Sequence, residues 1–348
     1  MGKTSIEWTD RSINPMRAQS TLVDRQGNTF PVTGHYCEKI SSGCANCYAS
    51  NFQKRFHMPD FPGHGKPWLQ PESPSLWFDE SRLLEVLKRK IPTRWFWCDM
   101  TDMFGHWVPD EWIDKCFAVM ALTPWHTHQV LTKRPDRMLK YLTTDEQYIN
   151  RRGYIQNQID HRLAPDNLSM RNVMNVWPLL NVQIGTSAEN QAAWDWRVPM
   201  LEKCPAAVRF VSVEPMLGSI DARKQFLASC DGCDGSGGYF PFDAQEEEEC
   251  RRCEGAGVDE AFPMEEIHWI ICGGESGPNA RVFDPQNAHA LMTQCRTAGI
   301  PFFFKQMGSN PYDKFNGCKV DILDRKGTEW KGYCDLNVRM FPGDEWPK

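Results

Sequence analysis

Cys37, Cys44 and Cys47 stand within eleven residues of one another in the stretch GHYCEKISSGCANCYAS (Gly34 to Ser50), spaced C-x6-C-x2-C. Three thiols are one more than a disulfide takes and one fewer than a closed tetrahedral zinc site needs. Two metal chemistries keep a position open. Three thiolates can hold three irons of a 4Fe–4S cluster and leave the fourth iron free for an exogenous ligand. In radical S-adenosylmethionine (SAM) chemistry that ligand is the amino and carboxylate groups of SAM. The alternative is one Zn²⁺ on three cysteines with a water, as in zinc deaminases, a pattern that brings a His ligand and an H-x-E motif. His35 and His57 lie nearby, but neither begins an H-x-E.

A second cysteine set lies far downstream. CDGCDGSG (Cys230 to Gly237) and CRRCEGAG (Cys250 to Gly257) are both C-x2-C-x-G-x-G, with sixteen residues between Cys233 and Cys250. Two such knuckles present four thiolates, Cys230, Cys233, Cys250 and Cys253, that can close a tetrahedron round one Zn²⁺. The glycines let each knuckle turn its backbone amides toward sulfur. Over these residues the pattern resembles the cysteine-rich repeat of J-domain co-chaperones, although no J-domain pattern precedes it. A closed ligand set makes this a staple or docking surface, not a catalyst. Four buried free thiols would be the bland alternative, and a Gly- and Glu-rich excursion has little core in which to bury them.

The elements that must position these residues follow from hydrophobic patterning. RWFWCDM (Arg94 to Met100), HTHQVLTKRP, NVQIGTSAEN, AVRFVSVEP, IHWIICGGESG and IPFFFKQMG read as strands. DEWIDKCFAVMALTP, QAAWDWRVPMLEKC and PQNAHALMTQCRTAG read as helices between them. Apolar strands alternating with helices imply βαβ units and a parallel sheet buried on both faces. Six or seven units fit a full or partial (β/α) barrel better than an open sheet. Asp99 and Asp102, Lys133 and Arg134, Ser187 and Glu189, Glu214, and Glu275 with Ser276 follow successive strands, on the rim where barrel folds build active sites. A rim ion pair is the plain alternative for each acid. Two stretches break the alternation: a polar insertion from Met16 to Thr33, and the excursion from Cys230 to Val258. The expected organisation is a barrel over 1–229 with the cysteine loop at 34–50, a zinc knuckle inserted at 230–258, and barrel completion with a C-terminal segment over 259–348.

The chain of 348 residues is 41% hydrophobic and carries a net charge of −6. No apolar run approaches a membrane span, and MGKTSIEWTD has no apolar signal core and no myristoylation pattern. A cytoplasmic protein is expected, with no membrane partner. Fourteen cysteines in a reducing compartment argue for metal over a disulfide framework, and isolated ones such as Cys116, Cys204 and Cys295 read as small core residues. The negative charge excludes a protein that coats nucleic acid through bulk electrostatics. A local basic groove could still come from LKRKIPTR (Leu87 to Arg94) or RRGYIQNQIDHR (Arg151 to Arg162), each of which could equally be a solvated helix face.

The segments SIEWTD, INP, GCANCYA, WFWCDMTDMFG, VLTKRPDRM, IGTSAENQAAWDWRVPML, VRFVSVEPMLG, IICGGESGPNAR and GIPFFFKQMG run in order along nearly the whole chain. Together they resemble a phage-associated family of radical SAM-like proteins, whose cluster motif is C-x6-C-x2-C, as here, with an aromatic (Tyr48) after the last cysteine. The insertion Met16 to Thr33 and the zinc-knuckle excursion depart from the usual family pattern and could reshape substrate entry. The resemblance implies an α/β fold, a radical SAM-type partial (β/α) barrel with an inserted zinc-knuckle excursion. It implies a 4Fe–4S cluster on Cys37, Cys44 and Cys47, with SAM as cofactor. Asp99 and Asp102 would then accept from the SAM ammonium, and Lys133 or Arg134 would pair with its carboxylate. Ser187 and Glu189 would hold the ribose, and Glu214 and Glu275 would reach SAM or substrate.

For the family, the implied reaction is on phage DNA bearing hypermodified thymidines. A thymidine carrying an N-linked amino acid would be isomerised to the carbon-linked form, with a one-electron reductant as the other partner. The base would have to leave its stack, and some of the 14 Trp and 19 Phe could stack on it, although most such residues are core. The alternatives are a radical SAM repair or methylation enzyme acting on nucleic acid or protein, and, from another class, a non-catalytic metal-binding adaptor. The three-cysteine loop speaks against the adaptor, which has no use for an open iron.

Overall fold

A computed structural model describes residues 4, 6–23, 27–51, 75–143, 153, 155–156, 158, 177–231, 233, 235–236, 238–239, 248–250, 252–253, 257–263 and 266–346. Most of RRGYIQNQIDHR lies outside them. The chain divides into two compact units, Met1–Ser187 with Lys203–Val208, and Ala188–Glu202 with Arg209–Lys348. Both are mixed α/β. Among the described residues no helix is long and apolar enough to cross a membrane.

The first unit holds strands β1 (Arg11–Ile13), β2 (Met16–Val23), β3 (Thr29–Gly34) and β4 (Ser75–Phe78), helix α1 (Glu80–Lys88), β5 (Arg94–Trp97), α2 (Asp110–Leu122), β6 (Thr127–Thr132), α3 (Pro135–Thr143) and β7 (Val182–Ser187). Strands β1, β5, β6 and β7 form a parallel ladder in that order, in registers that include Ser12↔Phe96, Phe96↔Gln129 and Val130↔Ile184. Trp95 and Trp97 are fully buried, as are Phe104 and Phe117. Removing each such ring from water contributes about 1.5–3 kcal/mol. Helix α2 opens with Asp110 and Glu111 in its first turn, where the macrodipole favours acids, and is buried from Ile113 to Leu122. The polar insertion is a β-hairpin: β2 and β3 pair from Ala18↔Gly34 to Val23↔Thr29, and β4 adds to the other edge of β2. Its return strand ends at Gly34, where the cysteine loop begins.

The second unit holds α4 (Gln191–Glu202), β8 (Val208–Val213), the short α5 (Arg223–Phe226), β9 (Leu227–Ser229), β10 (Gly238–Tyr239), β11 (Glu248–Glu249), β12 (Val258–Pro263), β13 (Trp269–Gly273), α6 (Pro285–Thr297), β14 (Phe302–Gln306), β15 (Tyr312–Asp313) and β16 (Cys318–Lys319). Here β8, β13 and β14 are parallel, with β13 between its neighbours. All five residues of β13, WIICG, are buried, as a strand covered on both faces requires. Asp284 caps α6 through the Gln286 amide, Pro285 takes its first turn, and Gly299 at φ +70° follows its end.

Candidate functional site

The cysteine loop is short and tightly turned, with a 3-10 turn at Ser42–Cys44. Cys37, Cys44 and Cys47 are each half-buried. Their thiols share one electrostatic neighbourhood: burial pushes the Cys37 thiol up, the Asp102 charge and the other two cysteines add to that, and the Arg134 charge opposes it. Burial also works against ionisation at Cys44, yet the Lys133 ammonium and hydrogen bonds from Ile40 and Ser41 hold that thiol below its ordinary value. The three sulfurs are not gathered within 4.8 Å as a single-ion site would have them. A four-iron cluster, which gives each thiolate its own iron, does not ask for that closeness.

What fixes the loop is a pair of residues from the ends of two neighbouring strands. Asp102, after β5, accepts at Oδ1 from Thr132 Oγ1 (2.7 Å) and the Phe104 amide (2.9 Å). At Oδ2 it accepts from Arg134 Nη1 (2.9 Å) and the Lys133 amide (3.2 Å). The other arm of Arg134, which follows β6, donates to the carbonyl of Glu38, next to Cys37 (3.3 Å). The guanidinium lies 4.7 Å from the Trp107 ring centroid, and that ring meets Tyr36 edge-on. Tyr36 donates to Glu38 Oε1 (2.9 Å), and Thr101 Oγ1 bonds the Tyr36 carbonyl. Burial disfavours the Arg134 charge, but Asp102, Cys37 and Glu38 together raise its pKa.

The remaining residues of this unit's strand ends are also located. Asp99 accepts from Asn14 and from the Tyr48 hydroxyl (3.2 Å), which ties the far end of the cysteine loop to β5. Burial raises the Asp99 pKa against those donors. Lys133 Nζ reaches Ser187 Oγ, the last residue of β7 (3.3 Å). Cys37, Cys44, Asp102, Lys133 and Arg134 are therefore brought into one polar network at the C-terminal ends of β5, β6 and β7.

Glu189, Glu214 and Glu275 belong to the second unit, where each has a cation. Glu189 is 1% exposed and accepts from Arg197 Nη1 at 2.9 Å, so a ribose could reach it only by opening that pair. Glu214, after β8, lies 3.0 Å from Lys305 Nζ. Glu275, after β13, takes Arg281 through both carboxylate oxygens (2.7 and 3.1 Å) and accepts from the Arg281 amide (2.9 Å). For these three acids the rim ion pair is the arrangement observed.

The second cysteine set closes on itself. Among the described residues, Cys230, Cys233, Cys250 and Cys253 alone form a group of three or more His, Cys, Asp or Glu ligand atoms within 4.8 Å of one another. Cys230 and Cys250 sulfurs are 4.0 Å apart, and those of Cys233 and Cys253 are 3.6 Å apart. Amides of Cys253 and Arg252 pull the Cys250 thiol down to about 7, and the Gly257 amide donates to Cys253 Sγ at 3.2 Å. The stem of the excursion is the antiparallel pair β9–β12, and β10–β11 forms a second short ladder beyond the first knuckle. Arg252 and Asp231 join the knuckles at 2.6 Å. The donor set and geometry could hold a metal ion such as zinc.

Sequence reasoning passed over Glu38, Thr132 and Trp107. Glu38 could have been noticed beside Cys37, but nothing in the spacing pairs Trp107 with Arg134.

Fold and site together define a mixed α/β protein of parallel βαβ units, with a thiol loop held at strand ends and a four-cysteine knuckle on an antiparallel stem. The chain matches over residues 3–334 the family described as "Protein of unknown function (DUF5131)" and belongs to it. Neither a curated protein nor a solved structure matches the chain.

Proposed function

We propose that this is a radical SAM enzyme on a partial (β/α) barrel, with Cys37, Cys44 and Cys47 as ligands of a 4Fe–4S cluster whose fourth iron takes SAM. The observation that carries this reading is the three-thiol loop fastened to the strand ends by Arg134 and Asp102. The donor set fits the group: three soft thiolates without imidazole, half-buried, beside two cations that offset the charge of a thiolate-rich site. When bound, cluster and SAM supply one-electron cleavage of SAM and removal of a hydrogen atom from substrate. Arg134 positions the loop. Lys133, resting on Ser187, is the cation left to meet a carboxylate, and Asp99, steadied by Asn14 and Tyr48, is the acceptor for an ammonium. The four-cysteine knuckle holds zinc in a structural role.

For the substrate, the family resemblance supports an N-linked amino-acyl thymidine of phage DNA, isomerised to its carbon-linked form. Anaerobic reconstitution tests the reading. About four irons should bind per cluster, and dithionite with SAM should yield 5′-deoxyadenosine. Iron that survives the combined Cys37→Ala, Cys44→Ala and Cys47→Ala change would overturn the cluster assignment. Mass spectrometry of digested DNA tests the substrate: the product should keep its mass and change retention and fragmentation. Abundant 5′-deoxyadenosine with unaltered modified DNA would remove the thymidine reading and leave the enzyme class.

A further inference from the structure

We propose that the groove at the C-terminus of α1 is a docking site for the phosphodiester backbone of nucleic acid. Arg11, Glu85, Lys88, Arg89, Lys90 and Ile91 line a groove of about 390 Å³. Arg11 comes from the start of β1 and the consecutive cations from the end of α1. The cysteine loop meets residues that follow β5 and β6, so the groove lies at the opposite end of the same ladder.

Among the described residues that line it, cations outnumber acids. Arg11 pairs with Glu85 at 3.3 Å. The next acid, Asp10, is taken by Arg94 at 2.9 Å. Lys88, Arg89 and Lys90 have no carboxylate within 4.0 Å among the described residues. Among the described residues that line the groove, four cations stand against one acid, on a chain of net charge −6. The negative end of α1 accounts for one cation in its last turn. It does not account for three in succession lining one groove with a fourth from β1.

Two of the heads are held in place before any ligand arrives. Arg89 Nε donates to Thr93 Oγ1 at 2.5 Å, which leaves its terminal amino groups open. Lys90 Nζ sits 4.8 Å from the Trp125 ring centroid. Pre-placed cations in a concave, open groove suit a chain of phosphates, which Arg takes in a planar fork and Lys as a point charge. A membrane surface would want a broad apolar face, and this groove offers only Ile91. The choice of nucleic acid rests on the function proposed above, but the groove itself is independent of the cluster.

The test is fluorescence anisotropy of the full chain with a fluorescein-labelled single-stranded DNA and its duplex, across a salt series. The wild type should bind both, with log K falling linearly in log salt. The combined change Lys88→Gln, Arg89→Gln, Lys90→Gln should reduce the duplex salt slope by roughly 2–3, at about 0.9 for each phosphate no longer neutralised. Lys88→Glu alone, at an exposed position that cannot upset packing, should weaken binding severalfold. Arg223→Gln, at a cation already paired with Asp221, should change nothing. Unchanged affinity and slope in the triple variant overturn the proposal, as does binding to phosphatidylserine vesicles with no binding to DNA. The same triple variant should keep wild-type iron content and DNA-free 5′-deoxyadenosine yield. Loss of DNA binding with those intact therefore supports the groove alone, and loss of iron in the cysteine variants bears on the cluster alone.

Discussion

Arg134 and Asp102, 32 residues apart in the chain, meet at 2.9 Å with little exposure of either side chain. Sequence alone offered each a partner outside the protein, an ammonium for the acid and a carboxylate for the base. The structure gives them to each other and passes the second arm of Arg134 to the Glu38 carbonyl. Neither residue is thereby removed from the site. The pair ties the ends of two adjacent parallel strands to the backbone beside Cys37.

The two halves of the pair should not be equally costly to lose. Arg134→Ala leaves Asp102 buried but still accepting from Thr132 and two backbone amides. Asp102→Ala strands four donors, one of them a buried guanidinium. Breaking a buried pair costs about 3–5 kcal/mol, so Asp102→Ala should fall at or above the top of that range and Arg134→Ala at or below its bottom. Urea denaturation of the two variants decides it. Equal losses would mean that the backbone donors contribute nothing.

Much of this was legible in the sequence, for local reasons. WFW and WIIC are continuous apolar runs because their strands are covered on both faces, and polar residues directly after them can be assigned to strand ends. The four-cysteine knuckle was legible because C-x2-C spacing fixes ligand geometry within each half. The hairpin from Met16 to Gly34 reads only as a polar insertion, because MRAQSTLV lacks the apolar run of a covered strand. The ion pairs of Glu189 with Arg197, Glu214 with Lys305 and Glu275 with Arg281 were illegible: a lone acid after a strand looks the same whether it awaits a ligand or has found a cation.

Gly308 should tolerate no side chain. Its φ is +80°, and a Cβ there would lie 2.5 Å from the Glu275 carbonyl oxygen and 2.7 Å from the Gly274 carbonyl carbon, both backbone. Gly317, at φ +66°, has nothing within 4 Å. Gly317→Ala should cost only the left-handed conformation, about 1–2 kcal/mol. Gly308→Ala adds overpacking of about 1–3 kcal/mol and should displace Glu275 from Arg281. Thermal melts of both variants would show the difference, and similar melting temperatures would refute the close backbone approach.

His128 should make the protein acid-labile. The ring is fully buried, its Nδ1 accepts from Trp97 Nε1 at 3.0 Å, and its Nε2 meets Thr123 Oγ1 at 3.0 Å. Thr123 in turn donates to the Val119 carbonyl, so Nε2 carries the ring's one proton. Burial, with neighbouring His126 adding to it, lowers the His128 pKa from 6.5 to about 3. Between those values the unfolded chain binds a proton that the folded one refuses, so stability falls as pH falls, by up to about 1.4 kcal/mol per pH unit. His126 is also lowered, so the wild-type profile alone does not isolate His128. His128→Asn keeps an acceptor for Trp97 and cannot titrate. It should therefore lose about 2 kcal/mol less than wild type between pH 7 and pH 5 by chemical denaturation. Parallel pH profiles would show that His128 does not carry the effect.

The four-cysteine knuckle should hold one zinc and depend on it without affecting the thiol loop. Its sulfurs already sit at ligand spacing, as close as 3.6 Å for Cys233 and Cys253. Four thiolates so near one another repel unless a cation lies among them. Structural zinc in small sites is bound with about 10–16 kcal/mol of apparent free energy, more than β9–β12 and the two-residue β10–β11 ladder could supply alone. Cys230→Ser with Cys233→Ser should remove the metal and open the excursion to proteolysis between Cys230 and Val258. The loop around Cys37, held by Arg134 and Asp102, should keep the iron proposed for it. Elemental analysis for zinc and iron on the same preparation, followed by limited trypsin digestion, reads both effects. A variant that keeps one zinc per chain, or that loses iron together with zinc, would contradict the assignment of these cysteines to a separate structural site.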